Sequence, residues 1–217
     1  MGHNSNLQHH FVDLNQQYES SKLGMWAFLV TEVLTFAGLF CAYAVYRAWF
    51  PEMFMNANQA LDVVMGATNT VVLITSSLTM ALAIRYIQLN NNKAAIINLL
   101  LTLGFAATFM VIKYFEYTHK FHCGHYPGMY YNPVAHDGCV EILGTNPHVF
   151  FSIYFMMTGL HGIHVLAGMV LIAWLIIRTS KNHFNSEYYT PVELVGLFWH
   201  LVDLVWIFLF PLLYLIG

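Results

Sequence analysis

The strongest constraint on this chain is that five long stretches of its sequence are almost wholly apolar. At roughly 22–30 residues, each can cross the ~30 Å hydrocarbon core of a bilayer as a helix. The stretches are 24–49, 63–88, 95–118, 148–178 and 192–216. They do not alternate apolar with polar residues, so helices are favoured over barrel strands. The sequence therefore predicts an all-α integral membrane bundle of five transmembrane helices.

The composition and the segments outside these stretches complete the domain organisation. The chain is 58% hydrophobic and 9% charged, which excludes an ordinary soluble domain. Residues 1–22 are polar, lack the pattern of a signal peptide and are predicted to be a cytoplasmic N-terminal segment. Residues 23–217 are predicted to form one transmembrane domain with a long external loop at 119–147. No nucleotide-binding glycine loop is visible, and no nucleic-acid partner is expected.

The lysines and arginines near the span ends predict the orientation of the bundle. Five of them lie on the side of the N-terminus and of the second and fourth loops, namely Lys22, Arg85, Lys93, Arg178 and Lys181. Three, Arg47, Lys113 and Lys120, are assigned to the opposite side. This bias favours a cytoplasmic N-terminus and a periplasmic C-terminus.

Ionisable side chains inside the spans are the candidates for function, because such groups are costly in hydrocarbon unless they find a partner. They are Glu32 in the first span, His161 and His164 in the fourth, and His200 and Asp203 in the fifth. The three-residue spacings place the members of each later pair on one helix face. An intrahelical hydrogen bond between His200 and Asp203 is therefore one hypothesis.

Three interpretations of these groups stay open from the residues alone. They are metal or haem ligation, proton relay, and buried hydrogen bonds that fix the helices. A non-haem iron site requires several histidines and carboxylates together, whereas only three histidines lie in the last two spans. The structural network is therefore favoured. We expect Glu32 to be shielded from bulk water, and to be protonated or hydrogen-bonded.

Small and hydroxyl-bearing residues predict where helices approach one another closely. In the first span Thr31, Thr35 and Gly38 recur at helical spacing and are expected to form a packing face. In the second span, hydroxyls such as those of Thr70 and Ser77 are expected to form hydrogen bonds between helices.

The long third loop contains two cysteines, Cys123 and Cys139, with turn-forming residues between them. In an oxidising periplasm this arrangement favours a disulfide. The competing interpretation is a metal site that adds His122, His125 or His136, since thiolate and imidazole suit zinc or copper. The spacings match no common zinc pattern, and the disulfide is favoured.

Five segments, taken together, resemble subunit III of the haem-copper terminal oxidases, the family of cytochrome c and quinol oxidases. They are 31–38 (TEVLTFAG), 69–77 (NTVVLITSS), 114–117 (YFEY), 158–165 (TGLHGIHV) and 198–207 (FWHLVDLVWI). The segments cover all five spans in the order of the family. The chain is similar to the five-helix form, which lacks the first two helices of the seven-helix form. Its third loop is longer than is usual in the family, so the resemblance does not extend to Cys123 and Cys139.

The resemblance implies an accessory subunit that has no catalytic residue and binds no metal or redox cofactor itself. Haems and copper are expected in the partner subunits I and II, and phospholipid is expected on this chain. Subunit IV and a respiratory supercomplex are further candidate partners. The polar positions that match the family are Glu32, Glu116, His161, His164, His200 and Asp203. The implied roles are complex stability and sustained proton pumping in the inner membrane of a bacterium.

Other functions remain as alternatives to a cytochrome c oxidase subunit. Cytochrome c is favoured over quinol as the electron donor only because cytochrome c oxidases form the larger share of the family. A free-standing membrane metalloprotein, a cytochrome b-like carrier and a proton-coupled transporter are more distant alternatives.

Three histidines near the N-terminus, His3, His9 and His10, suggest a further hypothesis. Histidine titrates near cytoplasmic pH, so these residues could collect protons close to the uptake entrance of subunit I. The competing interpretation is a solvated tail with no such role.

Overall fold

We describe the protein from a computed structural model that covers residue 8, residues 11–132, residue 139 and residues 146–216. Five of its helices are long and apolar enough to cross a membrane, which confirms the predicted all-α five-helix architecture. In chain order the helices are α1 (Leu14–Trp49), a short α2 (Pro51–Asn58), α3 (Val63–Gln88), α4 (Asn92–His122), α5 (Pro147–Ser180) and α6 (Thr190–Phe210). A π-helical turn at Pro211–Leu215 extends α6.

Two of the long helices, α1 and α4, extend by more than two residues beyond the predicted limits of their spans. The first begins at Leu14 rather than near residue 24, because the Asp13 side chain caps it by accepting the backbone N–H of Gln16 at 2.6 Å. Part of the predicted polar segment 1–22 is therefore helical. The helix α4 continues to His122, so the loop that was predicted to begin at residue 119 begins only after residue 122.

The short helix α2 fills one end of the bundle in the connection between the first two spans. Pro51 occupies its first turn, where a missing backbone N–H is tolerated. Phe54 is 1% exposed and packs edge-on against Tyr43 of α1 and Phe150 of α5. The aromatic cluster joins three helices at this end.

The helices α3, α4, α5 and α6 form the body of the bundle, and α1 lies against α5 and α6 at its edge. In the apolar 18-residue segment of α6, 50% of the residues are buried, compared with 17% in the corresponding segment of α1. The last helix is therefore central and the first is peripheral.

The packing face predicted for α1 is not used within this chain. Thr31, Thr35 and Gly38 are exposed, and a Cβ added at Gly38 would meet no atom within 4 Å. The residues of α1 that are buried are instead Leu29, Phe36 and Tyr43, spaced seven apart. Large side chains on a neighbouring stripe fill the contact with α5 and α6, so the small residues face outward.

The hydroxyls of α3 do form the expected hydrogen bonds to other helices. Two fully buried tryptophans of α6 donate to them: Trp199 to the Ser76 hydroxyl at 3.0 Å and Trp206 to that of Thr70 at 3.1 Å. Each indole thereby buries a large ring and satisfies its only donor. These two bonds fix α6 against α3.

One close approach between α5 and α6 generates a testable prediction. A Cβ at Gly168 would lie 2.6 Å from the ring of Trp199, which the bond to α3 prevents from moving. We expect Gly168→Ala to destabilise the protein by about 1–3 kcal/mol through overpacking. Thermal unfolding of the purified protein in detergent would measure this.

Gly104→Ala in α4 is the matched control, because its Cβ would meet no atom within 4 Å. Replacing a helical glycine by alanine in open space is neutral or stabilising by about 0.4–1 kcal/mol. Equal unfolding midpoints for the two variants would contradict the close packing of α5 against α6.

Candidate functional site

The first candidate site is a hydrogen bond between α1 and α5 inside the membrane-spanning part of the bundle. Glu32 Oε2 lies 2.7 Å from His164 Nε2, and the two side chains are 18% and 16% exposed. The sequence had placed these two residues in separate groups. Glu32 is therefore hydrogen-bonded, and its partner is one of the candidate histidines.

The other ring nitrogen of His164 limits the protonation states of this pair. Nδ1 lies 2.8 Å from the carbonyl oxygen of Leu160, which can only accept a hydrogen bond. Nδ1 therefore carries a proton. The bond to Glu32 then joins either an imidazolium to a carboxylate or a neutral imidazole to a carboxylic acid. In both cases one proton lies between Nε2 and Oε2.

Aromatic rings lie between this pair and the interior of the bundle. The rings of Phe36 and Phe198 lie 5.3 Å and 6.2 Å from that of His164, and both phenylalanines are at most 5% exposed. The pair is thus shielded from the interior of the bundle and lies at the seam between α1 and the other helices.

His161 points in a different direction from His164, although the two are three residues apart. It is completely buried, between the rings of Phe109 of α4 and Trp206 of α6. Neither of its ring nitrogens has a hydrogen-bond partner among the described residues. The two histidines therefore do not form one site.

The predicted hydrogen bond between His200 and Asp203 is not formed. The Nδ1 atom of His200 is instead bonded to the hydroxyl of Ser77 on α3, at 2.7 Å. Both carboxyl oxygens of Asp203 lack a hydrogen-bond partner within the described part of the chain, although the residue is 2% exposed. The Ser77 hydroxyl bonds the imidazole of His200, and it also lies close enough to the Asp203 carboxyl to interact with it.

Glu116 is the centre of a buried ion cluster. Lys113 Nζ donates to its Oε2 at 2.9 Å, and Lys120 Nζ lies 3.8 Å from its Oε1. The hydroxyls of Tyr154 on α5 and Tyr214 in the C-terminal π-helical turn both donate to Oε1, at 2.8 Å and 2.5 Å. All three charged side chains are at most 8% exposed. The cluster links α4, α5 and the end of α6.

The Lys113 ammonium is satisfied in every direction. Besides Glu116 it donates to the hydroxyls of Tyr154 and Tyr214, both at 3.1 Å, which uses all three of its protons. It also lies 5.1–5.8 Å from the ring centres of four aromatic residues, Tyr117, Tyr154, Trp206 and Tyr214. Ring faces attract a cation at this range, so the cage compensates for lost hydration.

The sequence interpretation missed both lysines of the cluster, having assigned them as free charges near the span ends. The signal was present, because Lys113 and Lys120 lie three residues before and four after Glu116, on one helix face. Their burial removes them from the charge count that predicts orientation.

The third loop contains a disulfide between Cys123 and Cys139, whose Cα atoms are 5.6 Å apart. This is the pairing that the sequence favoured over a metal site. Within the described ranges, no group of three or more His, Cys, Asp or Glu side chains is placed to hold a metal ion. The residues His3, His9, His10 and His136 lie outside those ranges, so the proton-collecting hypothesis stays a prediction.

Comparison with known proteins identifies the family. The family model described as cytochrome c oxidase subunit III matches residues 5–217. The chain belongs to the cytochrome c oxidase subunit III family. It is subunit III of a haem-copper oxidase, an oxidoreductase complex, and a multi-pass protein of the bacterial membrane.

Three relatives show the range of this family. "Cytochrome c oxidase subunit 3" of Synechocystis sp. is 30% identical over 89% of this chain and 74% of its own length. "Cytochrome bo(3) ubiquinol oxidase subunit 3" of Pseudomonas putida is 29% identical over 90% of this chain and 85% of its own length. "Heme-copper oxidase subunit I+III" of Aeropyrum pernix is 28% identical over 88% of this chain, which corresponds to 22% of that longer protein.

The ion cluster generates a prediction for stability. Replacing Lys113 by Met leaves a buried carboxylate without its closest counter-charge, so we expect a loss of about 3–5 kcal/mol. Because Glu116 and Lys113 share one network, the double variant Lys113→Met/Glu116→Gln should lose less than the sum of the two single variants. Thermal unfolding in detergent, monitored through the loss of the helical circular dichroism signal, would measure both effects.

The control is Lys93→Met, an exposed position in the first turn of the same helix. If Lys113→Met and Lys93→Met unfolded at the same temperature, the cluster would not contribute to stability and this prediction would be wrong.

Proposed function

We propose that this chain is the third subunit of a cytochrome c oxidase, a non-redox subunit that preserves the complex and sustains its uptake of protons. The observation that carries the proposal is the hydrogen bond between Glu32 and His164. It holds one proton between two titratable groups within the membrane. A proton-pumping complex can use such a pair to keep a local proton supply, because either partner can hold the proton.

Cytochrome c as the electron donor is supported by the description of the family model and by the name of the Synechocystis relative. The second candidate is a quinol oxidase, which the name of the Pseudomonas putida relative supports. Oxygen consumption by the purified complex with reduced cytochrome c or with a quinol would distinguish the two.

The proposed partners are oxidase subunits I and II, together with phospholipid. The relative from Aeropyrum pernix, whose printed name joins subunits I and III, supports a direct association with subunit I. An apolar groove between α4 and α5, with a volume of about 350 Å³, supports a bound lipid chain. Its walls include Met110, Phe121, Ile163 and Leu166, and Gly159 leaves space at its floor.

We also propose that the N-terminus lies in the cytoplasm. Burial of Lys113 and Lys120 in the ion cluster leaves Arg47 as the one remaining positive charge assigned to the opposite side, against five on the N-terminal side. The positive-inside rule then favours this orientation more strongly than the original count.

Cysteine labelling would test the orientation, in a background with Cys41 replaced by Ser. Met129 and Leu89 are exposed on opposite sides of the membrane, in the connections after α4 and α3. In intact cells a membrane-impermeant maleimide should label Met129→Cys, and should label Leu89→Cys only after the inner membrane is opened. The reverse pattern would show the opposite orientation.

Purification from the native membrane tests the proposed function as a whole. A tagged copy of this chain should bring down larger chains that contain haem and copper, and the chain separated from them should be colourless. A chain that retained haem or metal alone would support a free-standing metalloprotein. Transport by the reconstituted chain alone would support a proton-coupled transporter.

The role of Glu32 in holding a proton can be separated from its role in packing. Glu32→Gln keeps the size and a hydrogen bond to His164 but removes the acid proton. We expect a normal initial rate of electron transfer and a faster loss of activity during continued turnover. Oxygen consumption followed over many turnovers would measure both.

Glu19→Gln, at an exposed position on the same helix, is the control and should retain the wild-type activity during continued turnover. If Glu32→Gln also retained it while Glu32→Ala did not, the pair would matter for packing and would have no role in holding a proton.

A further inference from the structure

Residues 124–132, which follow α4, are held against the start of α5. The Gly128 N–H donates to the Ser152 hydroxyl at 2.9 Å. The ring of His125, which is 3% exposed, stacks on that of Phe151 with 4.6 Å between the ring centres. The position of this segment along α5 is therefore fixed and can be compared with the thickness of a bilayer.

The bond to Ser152 places the segment at the depth of the lipid headgroups. His161 of α5 lies beside Trp206, which is about 5 Å beyond the middle of α6 at ~1.5 Å per residue. Ser152 precedes His161 by nine residues, which adds ~14 Å towards the end of the bundle that carries the C-terminus. Gly128 thus lies roughly 19 Å from the middle of the bundle. The hydrocarbon core of a bilayer extends ~15 Å from its centre and the headgroup layer to ~20–22 Å.

The segment presents the kind of side chain that is common in this layer. Tyr126, Met129 and Tyr130 are 40%, 89% and 73% exposed. Residues 124–132 contain no Asp, Glu, Lys or Arg. Tyrosine is enriched at membrane interfaces, because its ring is apolar and its hydroxyl is polar. The exposed surface therefore suits the boundary between hydrocarbon and water better than bulk water.

The segment also continues the apolar groove between α4 and α5. Phe121 lines that groove, and its ring stacks on those of Tyr126 and Phe155, at 5.3 Å and 5.2 Å. The ring of Tyr126 therefore extends the wall of the groove towards the headgroup layer. An acyl chain in the groove would place its headgroup beside this ring, where a phenol hydroxyl can donate to a phosphate or ester oxygen.

We infer that residues 124–132 lie in the headgroup layer on the C-terminal side of the membrane, where Tyr126 and Tyr130 contact phospholipid. The inference goes beyond the proposed function and holds for either electron donor. It concerns a segment that the resemblance to the family does not cover, since the third loop is longer than is usual there. Another protein chain and bulk water are the competing surroundings of the two tyrosines.

Photo-crosslinking in the native complex, reconstituted with phospholipid, tests what surrounds the segment. A benzophenone amino acid, an aromatic side chain like the one it replaces, is placed at Tyr130. Illumination should add the mass of a phospholipid to this chain. An adduct with another protein chain would show that the segment is a protein contact, and the absence of any adduct would show that it faces water. Either result would overturn the inference.

The control position is Glu52, an exposed residue in the first turn of α2 at the same end of the bundle. Glu32 bonds to His164 near the middle of the bundle, and α1 ends at Trp49, about 26 Å further on. Glu52 follows directly and lies beyond the headgroup layer, so a benzophenone there should give no lipid adduct. Lipid adducts of equal yield at the two positions would also overturn the inference.

Spin labelling measures the depth directly in vesicles that contain this chain alone, where no other subunit can cover the segment. With Cys41 replaced by Ser, a nitroxide is attached at Tyr130→Cys or at Glu52→Cys. Collisions with a water-soluble nickel chelate should be at least roughly threefold less frequent at position 130. Equal collision rates would overturn the inference. The headgroup layer is hydrated, so collisions are reduced and not abolished, and a maleimide should still label Met129→Cys.

Discussion

The ion cluster around Glu116 is the interaction on which the arrangement of α4, α5 and α6 depends. A buried charge without a partner costs several kcal/mol, and here three charges lie among apolar helices. Their compensation requires the hydroxyls of Tyr154 and Tyr214, which come from two other segments. Apolar packing does not fix the register of membrane helices, because lipid is as apolar as they are. The cluster fixes it, since shifting α5 or the end of α6 by one turn would remove the tyrosine hydroxyls that bond to the charges of α4.

The peripheral helix α1 is held by polar contacts along its length. Near its start, the Tyr18 hydroxyl donates to Glu193 of α6 at 2.8 Å, and Lys22 lies 3.4 Å from the same carboxylate. Glu32 bonds to α5, and near its end the Tyr43 hydroxyl donates to a backbone carbonyl of the C-terminal turn at 2.7 Å. Because few apolar side chains of α1 are buried, these bonds determine its position.

The fold was predictable from the sequence and the pairing of its polar groups was not. Span length and hydropathy are properties of one helix, so the five helices could be placed from the sequence alone. The partner of Glu32 is 132 residues away, and no local pattern indicates it. Likewise, no local pattern indicates that His200 bonds to Ser77 of α3 and not to Asp203. Only the lysines of the ion cluster have a local pattern, which is their helical spacing from Glu116. It was missed because they were counted as charges near the span ends.

The buried charges and the exposed small residues of this chain have different consequences for assembly. The ion cluster, with the largest burial cost, is compensated entirely within the chain and can form before assembly. The small residues Thr31, Thr35 and Gly38 of α1, in contrast, are exposed. The chain thus compensates its buried charges internally and presents small residues at its edge, where membrane helices can approach closely.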